Sequence, residues 1–484
     1  MRSKVRIVSA VVLAVALALV ASASSLAQST TKQLSTNFTL VNLGSGPATG
    51  NISYIKQDGT SWGSENFSIT NVGGQAIFRQ YASAGQPGNP NLSSGAGSVM
   101  VMSDQPLGAV VQIQARNQNP TSNGAYSGLS AGDTSFYVPL VAKNLTTASG
   151  TGNSQIIAQN TGGSATNIQF ELIGGGNTYT YTATNVAPGA SFTCDLTTAC
   201  GASVPNNWSG SAVVSAGSGG TIAVVSNFFT GDALQTFNAF SSTSPKTKWF
   251  VPLFTSRLPN SLSTPVAVQN LSGNPIAADS VKLDCTPDPA ATGFSTFSKT
   301  NPAPIDNNAA YYFNPVTDTS IPAGFFGSCV ITAPANVVAF VQMRFIATGE
   351  AAAYEAIPDG GTDKKTIIPL VAKRLANGFA TAVTIQNLSN STANVTLTYT
   401  PSPDYGGSAS PITTNTTIPA NGSLIQNHRV PSGVPSLPDG WFGTLTVSSD
   451  TPVNAFVQLT FLRSINSGLP SGDNFMAHNA FTQP

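Results

Sequence analysis

Apolar and polar residues alternate with a period of two through most of this chain. In Trp441 to Phe461, WFGTLTVSSDTPVNAFVQLTF, Leu445 and Val447 alternate with Thr444, Thr446 and Ser448. Ser449-Asp450-Thr451-Pro452 then forms a polar turn, and Val453 to Phe461 resumes the apolar run. Successive side chains of a strand point to opposite faces, so the pattern predicts two β-strands joined sharply. The passage recurs as FFGSCVITAPANVVAFVQMRF from Phe325, as WSGSAVVSAGSGGTIAVVSNF from Trp208 and, more worn, as GAGSVMVMSDQPLGAVVQIQA from Gly95. Its glycine falls at Gly97, Gly210, Gly327 and Gly443, in steps of 113, 117 and 116 residues. Four similar β-units are expected.

Other signatures keep the same period. YVPLVAKNL from Tyr137, FVPLFTSRL from Phe250 and TIIPLVAKRL from Thr366 read as opening strands, with the proline at an edge or bulge. A second strand ends at Asn42, Asn160, Asn270 and Asn387, where Asn followed by Leu or Thr and Ser or Gly is turn chemistry. Val395, Leu397 and Tyr399 alternate with threonines in a third strand. Ile418 to Ser423 and Val186 to Ser191 are matching turns. With roughly seven short strands per unit and no helical periodicity after the N-terminus, the expected fold class is all-β, four tandem immunoglobulin-like β-sandwich domains. A β-propeller would need blades of roughly 40–50 residues.

The expected domains are residues 28–136, 137–248, 249–366 and 367–484, with linkers at Ser130–Thr134, Ser241–Thr247 and Asp359–Lys365. Each unit is expected to bury its own aliphatic residues between two sheets. Linkers this short predict a semi-rigid rod about 150 Å long.

Met1 to Ala27 reads as a secretory signal peptide, with Arg2, Lys4 and Arg6 before an apolar run from Ile7 to Val20. Ala21-Ser22-Ala23 and Ser25-Leu26-Ala27 are alternative cleavage sites. A retained membrane anchor is the rival reading, but the run is shorter than the roughly 20 residues a spanning helix needs. The expected localisation is secreted, at the cell surface, with no membrane span in the mature chain. In the first repeat the opening strand should fall on Ser24 to Leu34, which lacks apolar content. Either that edge is short and polar, or another molecule supplies the strand.

Charged residues make up only 8% of the chain, so Ser, Thr, Asn, Gln and Gly must solvate the outward-facing positions. Without the three leader cations, 17 basic residues face 20 acidic ones, a net −3. So weak a field argues against nucleic acid or an anionic membrane as partner, and it opposes self-association little.

Four cysteines agree with an oxidising compartment. Cys194 and Cys200 share the second repeat and can close a small loop; Cys285 and Cys329 share the third. Aligned on the fourth repeat, Cys285 falls opposite Tyr399 and Cys329 opposite Leu445, which predicts a disulfide across the sandwich. A redox or thiolate-metal site does not fit these spacings.

Catalytic chemistry is not signalled. The glutamates are Glu65, Glu171, Glu350 and Glu355, and the histidines His428 and His478, read as surface or packing residues. No serine lies in a nucleophile frame and no Asp-rich calcium loop occurs. No catalytic residue, metal or cofactor is therefore expected. Trp208, Phe325 and Trp441 share one repeat position and read as core plugs, and Trp249 as a seal between domains. Trp62 has no counterpart, which makes it the candidate exposed contact residue.

The motifs Val138–Lys143, Ile368–Lys373, Gln269–Ser272, Gln386–Ser389, Trp441–Gly443 and Pro452–Gln458 resemble those of tandem Ig-like β-sandwich repeat proteins secreted by filamentous Chloroflexi-type bacteria. The first repeat lacks the opening motif, and the second has Ser226 where the others have Gln. The resemblance implies a module type and a cell-surface setting rather than a ligand. The expected function is a non-enzymatic structural or adhesive protein, fibre- or layer-forming, whose partners are itself or other cell-surface proteins. The alternative is a secreted carbohydrate-binding array, with glycans as partner.

Overall fold

The computed structural model describes residues 13–19, 33–115, 118–402, 404–408 and 410–483. Among them the chain is all-β, with antiparallel sheets, one 3-10 turn at Ala199–Gly201 and no α-helix. The fourth repeat shows the plan most plainly. Its strands in order are Lys365–Ala372, Phe379–Asn387, Ala393–Pro401, Ile412–Ile418, Ser423–Asn427, Phe442–Ser449, Val453–Phe461 and Phe475–Asn479. One sheet runs fourth-third-sixth-first, with the short Phe481–Thr482 beyond the first, and the other fifth-second-seventh-eighth. The same two orders recur in each of the other three repeats. In the third repeat the sixth and seventh strands are one continuous strand, Phe326–Phe345, which passes from one sheet to the other.

The alternation does what it predicts. Val395, Leu397 and Tyr399 are buried while the threonines between them are half-buried or exposed. Eight strands per repeat, not seven, were nevertheless needed. The additional one is the eighth, at Asn123–Ser127, Ala233–Asn238, Ala351–Glu355 and Phe475–Asn479. Sequences such as AAAYE and FMAHN do not alternate because both of their faces are covered.

The recurring motifs now have physical causes. A Cβ on Gly97, Gly210, Gly327 or Gly443 would lie 2.1 Å from a third-strand carbonyl oxygen, that of Ile55, Ile173, Thr286 or Thr400. Only glycine lets the sixth strand approach so closely. Register shifts in the opening strands fall at the motif prolines, Pro139, Pro252 and Pro369. The motif cation then reaches back to carbonyls of the loop between the fifth and sixth strands. Lys143 Nζ donates to Gly201 and Val204, and Lys373 Nζ to Val434 and Leu437. In the third repeat Arg257 performs this task on Pro315, Asp318 and Ile321.

In the first repeat the opening position is filled by the backbone of Leu13–Leu19, antiparallel to Gly97–Ser103. Leu13 lies opposite Ser103 and Leu19 opposite Gly97. This is the place held elsewhere by Ser135–Lys143, Lys246–Thr255 and Lys365–Ala372. Arg2, Lys4, Arg6 and both expected cleavage sites lie outside the described residues.

The repeats do not form a rod. Their eighth strands touch in cyclic order, first with second, second with third, third with fourth and fourth with first. A belt of hydrogen bonds follows that order. Asn238 Nδ2 donates to the Ser127 carbonyl at 2.8 Å, and the Asn238 N–H to Glu355 Oε1 at 2.6 Å. Asn479 Nδ2 donates to the Glu355 carbonyl at 2.7 Å, and Ser127 Oγ to the Asn479 carbonyl at 2.9 Å. The ring is closed by residues at one shared position. Phe237 packs on Phe340 and Tyr354 stacks on Phe456, each with ring centroids 4.0 Å apart, across the next two seams.

Separate cores are likewise corrected. Buried residues of the second and third repeats form one continuous apolar cluster that takes in Phe456, Phe475 and Ala477 of the fourth. The first repeat's cluster includes Ile157, Val225 and Leu234 of the second. With few charges on these surfaces, burying them against a neighbour removes apolar area from water, and the desolvation cost falls on a few groups such as Glu355 and Asp473.

Candidate functional site

The residues singled out in the sequence are scattered rather than gathered. Cys194 is bonded to Cys200 and Cys285 to Cys329. The second bond does not cross the sandwich: Cys285 and Cys329 face each other on neighbouring strands of one sheet. Tyr399 and Leu445 are paired in the same way, so the alignment was right and the inferred geometry was not. Trp208, Phe325 and Trp441 are buried plugs, and Trp441 meets Tyr399 edge-on at 5.8 Å. Trp249 is buried, packs edge-on against Phe240 and donates to the Val337 carbonyl at 2.9 Å, between the second and third repeats. Trp62 is half-buried rather than exposed; its Nε1 donates to Ser93 Oγ at 3.0 Å and its ring lies over Gly95 and Gly97.

Both histidines are buried packing residues. His428 lies 3.3 Å from Thr381 Oγ1 and 3.4 Å from Tyr399 Oη, and burial lowers its pKa to about 3. Burial lowers that of His478 to about 4. Glu65 accepts from Tyr54 Oη at 2.5 Å and from the Gly88 N–H at 2.9 Å. Burial raises Glu355 to about 7.

The turn motif at the second strand does two jobs. Asn160, Asn270 and Asn387 fold the turn: each Oδ1 accepts the N–H two residues on, and each Nδ2 donates to the carbonyl four residues on. The glutamine before it looks outward. Gln269 Nε2 donates to Asn308 at 2.9 Å and to Ala212 of the preceding repeat at 3.3 Å. Gln386 does the same with Asn421 and Cys329. In the first repeat Val41 holds that position, and Gln75 instead donates to Thr444 Oγ1 at 2.9 Å and to the Pro369 carbonyl, sealing the first repeat on the fourth. On the seventh strand the register places Asn227, not Ser226, level with Gln112, Gln342 and Gln458.

One place gathers several functional side chains, and it opens between the third and fourth repeats. A cleft of about 740 Å³ is lined by Arg374, Arg429, Arg463 and Glu350, with Phe345, Phe461 and Phe475 among its walls. Phe345 and Phe475 meet edge-on at 5.2 Å across the seam. Arg374 gives Nε to Asp439 at 2.9 Å and Nη1 to the Arg429 carbonyl at 3.1 Å, fixing that loop. Arg429 is half-buried; its Nε donates to Asn427 Oδ1 at 3.0 Å, and burial lowers its pKa to about 10. Sequence reasoning missed this site because its three arginines come from three separate loops. A signal was present: at the turn position of Arg429 the second and third repeats carry Thr197 and Val316.

No protein-family model matches the chain, and no curated protein matches it.

Proposed function

We propose that the chain is a non-enzymatic extracellular structural protein of four immunoglobulin-like sandwich modules, exported by its leader and assembling edge to edge. The pairing of second with fifth and third with sixth strand is that of the immunoglobulin sandwich, with the first and seventh strands exchanged between sheets. Two disulfides suit an oxidising compartment, and no helix among the described residues is long and apolar enough to cross a membrane.

The observation that carries the reading is the state of the outer edges. Asn177–Val186 and Ile412–Ile418 each end their sheet, pairing on one side only. Neither carries a charge or a proline, the usual devices against strand addition, and their outward positions are mostly threonine and asparagine. The two belong to repeats that are not neighbours in the ring, so these edges lie apart and can extend the assembly in both directions; removal of the leader takes Leu13–Leu19 with it and bares Gly97–Ser103 as a further edge. The corresponding first and third edges carry Glu65 and Lys299.

Sedimentation velocity and electron microscopy of the mature protein test this. Assemblies that vanish when Thr180→Lys and Thr413→Lys are combined are the expected result; a concentrated, monodisperse monomer sinks the reading.

A further inference from the structure

The cleft between the third and fourth repeats holds cations that their surroundings do not neutralise. Arg374 is paired with Asp439, but neither Arg429 nor Arg463 has a carboxylate within ion-pair reach among the described residues. Glu350, at the rim, accepts from Thr348 Oγ1 at 2.9 Å. With Arg374 matched by Asp439, the guanidinium groups of Arg429 and Arg463 face the one remaining carboxylate of the cleft, Glu350, in a chain whose charged residues are only 8% of the total. Holding a half-buried guanidinium without a counter-ion costs free energy that an anion would recover. Its planar donors fit a carboxylate or sulfate two at a time.

The walls narrow the choice of anion. Phe345 and Phe461, both half-buried, offer apolar surface, and Asn260 and Asn427 offer amides that both donate and accept. The volume lies within the roughly 300–1,000 Å³ typical of small-ligand sites. A peptide adding as a strand has no purchase, because Val453–Phe461 is already flanked by Phe379–Asn387 and Phe475–Asn479.

We propose that this cleft binds an anionic oligosaccharide, its carboxylate or sulfate on Arg429 and Arg463, its sugar faces on Phe345 and Phe461, and its hydroxyls on the amides of Asn260 and Asn427. The inference deepens the extracellular reading by naming a ligand class for the protein outside the cell.

Titration calorimetry on the full mature chain with oligogalacturonate, sulfated dextran, neutral dextran and polyglutamate tests it. Binding by one or both anionic polysaccharides but not by neutral dextran is expected, and the stronger of the two shows whether carboxylate or sulfate is preferred. Arg463→Ala, an exposed substitution that leaves the fold alone, should weaken binding roughly tenfold, as should Arg429→Lys, while Trp62→Ala should not. Equal binding of polyglutamate, indifference to Arg463→Ala, or no binding by either polysaccharide overturns the proposal. The assembly variant Thr180→Lys with Thr413→Lys, titrated alongside, should bind normally, so failure of the ligand reading is separable from failure of edge assembly.

Discussion

Asp473 Oδ2 accepts the backbone N–H of Leu234 at 2.9 Å, across 239 positions of sequence. The other oxygen takes the N–H groups of Ala351 and Phe475, at 3.3 and 3.2 Å. Asn123 Nδ2 donates to the Asp473 carbonyl at 2.5 Å. One buried residue of the fourth repeat therefore touches all four. Burial raises its carboxyl well above the usual range and Glu350 adds to this, while the backbone donors pull the other way.

Replacing Asp473 by Ala leaves three N–H groups without their acceptor. Each orphaned buried donor costs about 1–3 kcal/mol, so a loss of at least roughly 3 kcal/mol in urea unfolding is expected, and about 1–2 for Asp473→Asn, which keeps one acceptor oxygen. An Asp473→Ala protein as stable as the parent would show that this hub does not hold the ring.

Glu355 gives a pH signature. Its folded pKa, about 7, lies above the ordinary value of 4.5, so its contribution is complete below pH 4.5 and is lost as pH rises toward 7. Glu355→Gln has no such loss. The variant should gain on the parent by up to about 3 kcal/mol between pH 4.5 and 7.5. His428, lowered to about 3, acts with the opposite sign: its contribution is present above pH 6.5 and is lost as pH falls toward 3. Unfolding curves at the two pH values for the parent and Glu355→Gln measure the difference directly.

Tyr354 serves two contacts that substitution can separate. Its ring stacks on Phe456 of the next repeat, and its hydroxyl donates to the Leu253 carbonyl at 2.8 Å beside the proline bulge. Tyr354→Phe keeps the stack and should cost about 1–2 kcal/mol. Tyr354→Ala opens a cavity in the seam and should cost about 3–5 kcal/mol. Equal losses would mean that the stack contributes nothing.

The two disulfides should differ in weight. Cys285 and Cys329 are 44 residues apart, Cys194 and Cys200 only 6. Loop-closure entropy assigns about 4 kcal/mol to the first and about 2 to the second. Paired Cys→Ser variants compared in denaturant unfolding test the order.

Strands, glycine positions and the cysteine alignment were legible because each depends on near neighbours along the chain. Leu397 and Tyr399 alternate with threonine, and Gly443 recurs because a carbonyl passes beneath it. Gln386 was legible as part of a turn but not as a clamp, since its acceptor on Cys329 belongs to the preceding repeat. Arg374, Arg429 and Arg463 looked unrelated because nothing in their spacing says that three loops converge.

The β-class, the fourfold repetition and the local turns can be read along the chain, since period-two burial and glycine-bound close approach are encoded within a few residues. That the repeats close into a ring with fused cores, and that a cationic cleft opens at one seam, follows from how distant strands pack together. Those outcomes depend on which uncharged faces meet, and Asp473 and Asn238 acquire their partners only once the repeats have come together.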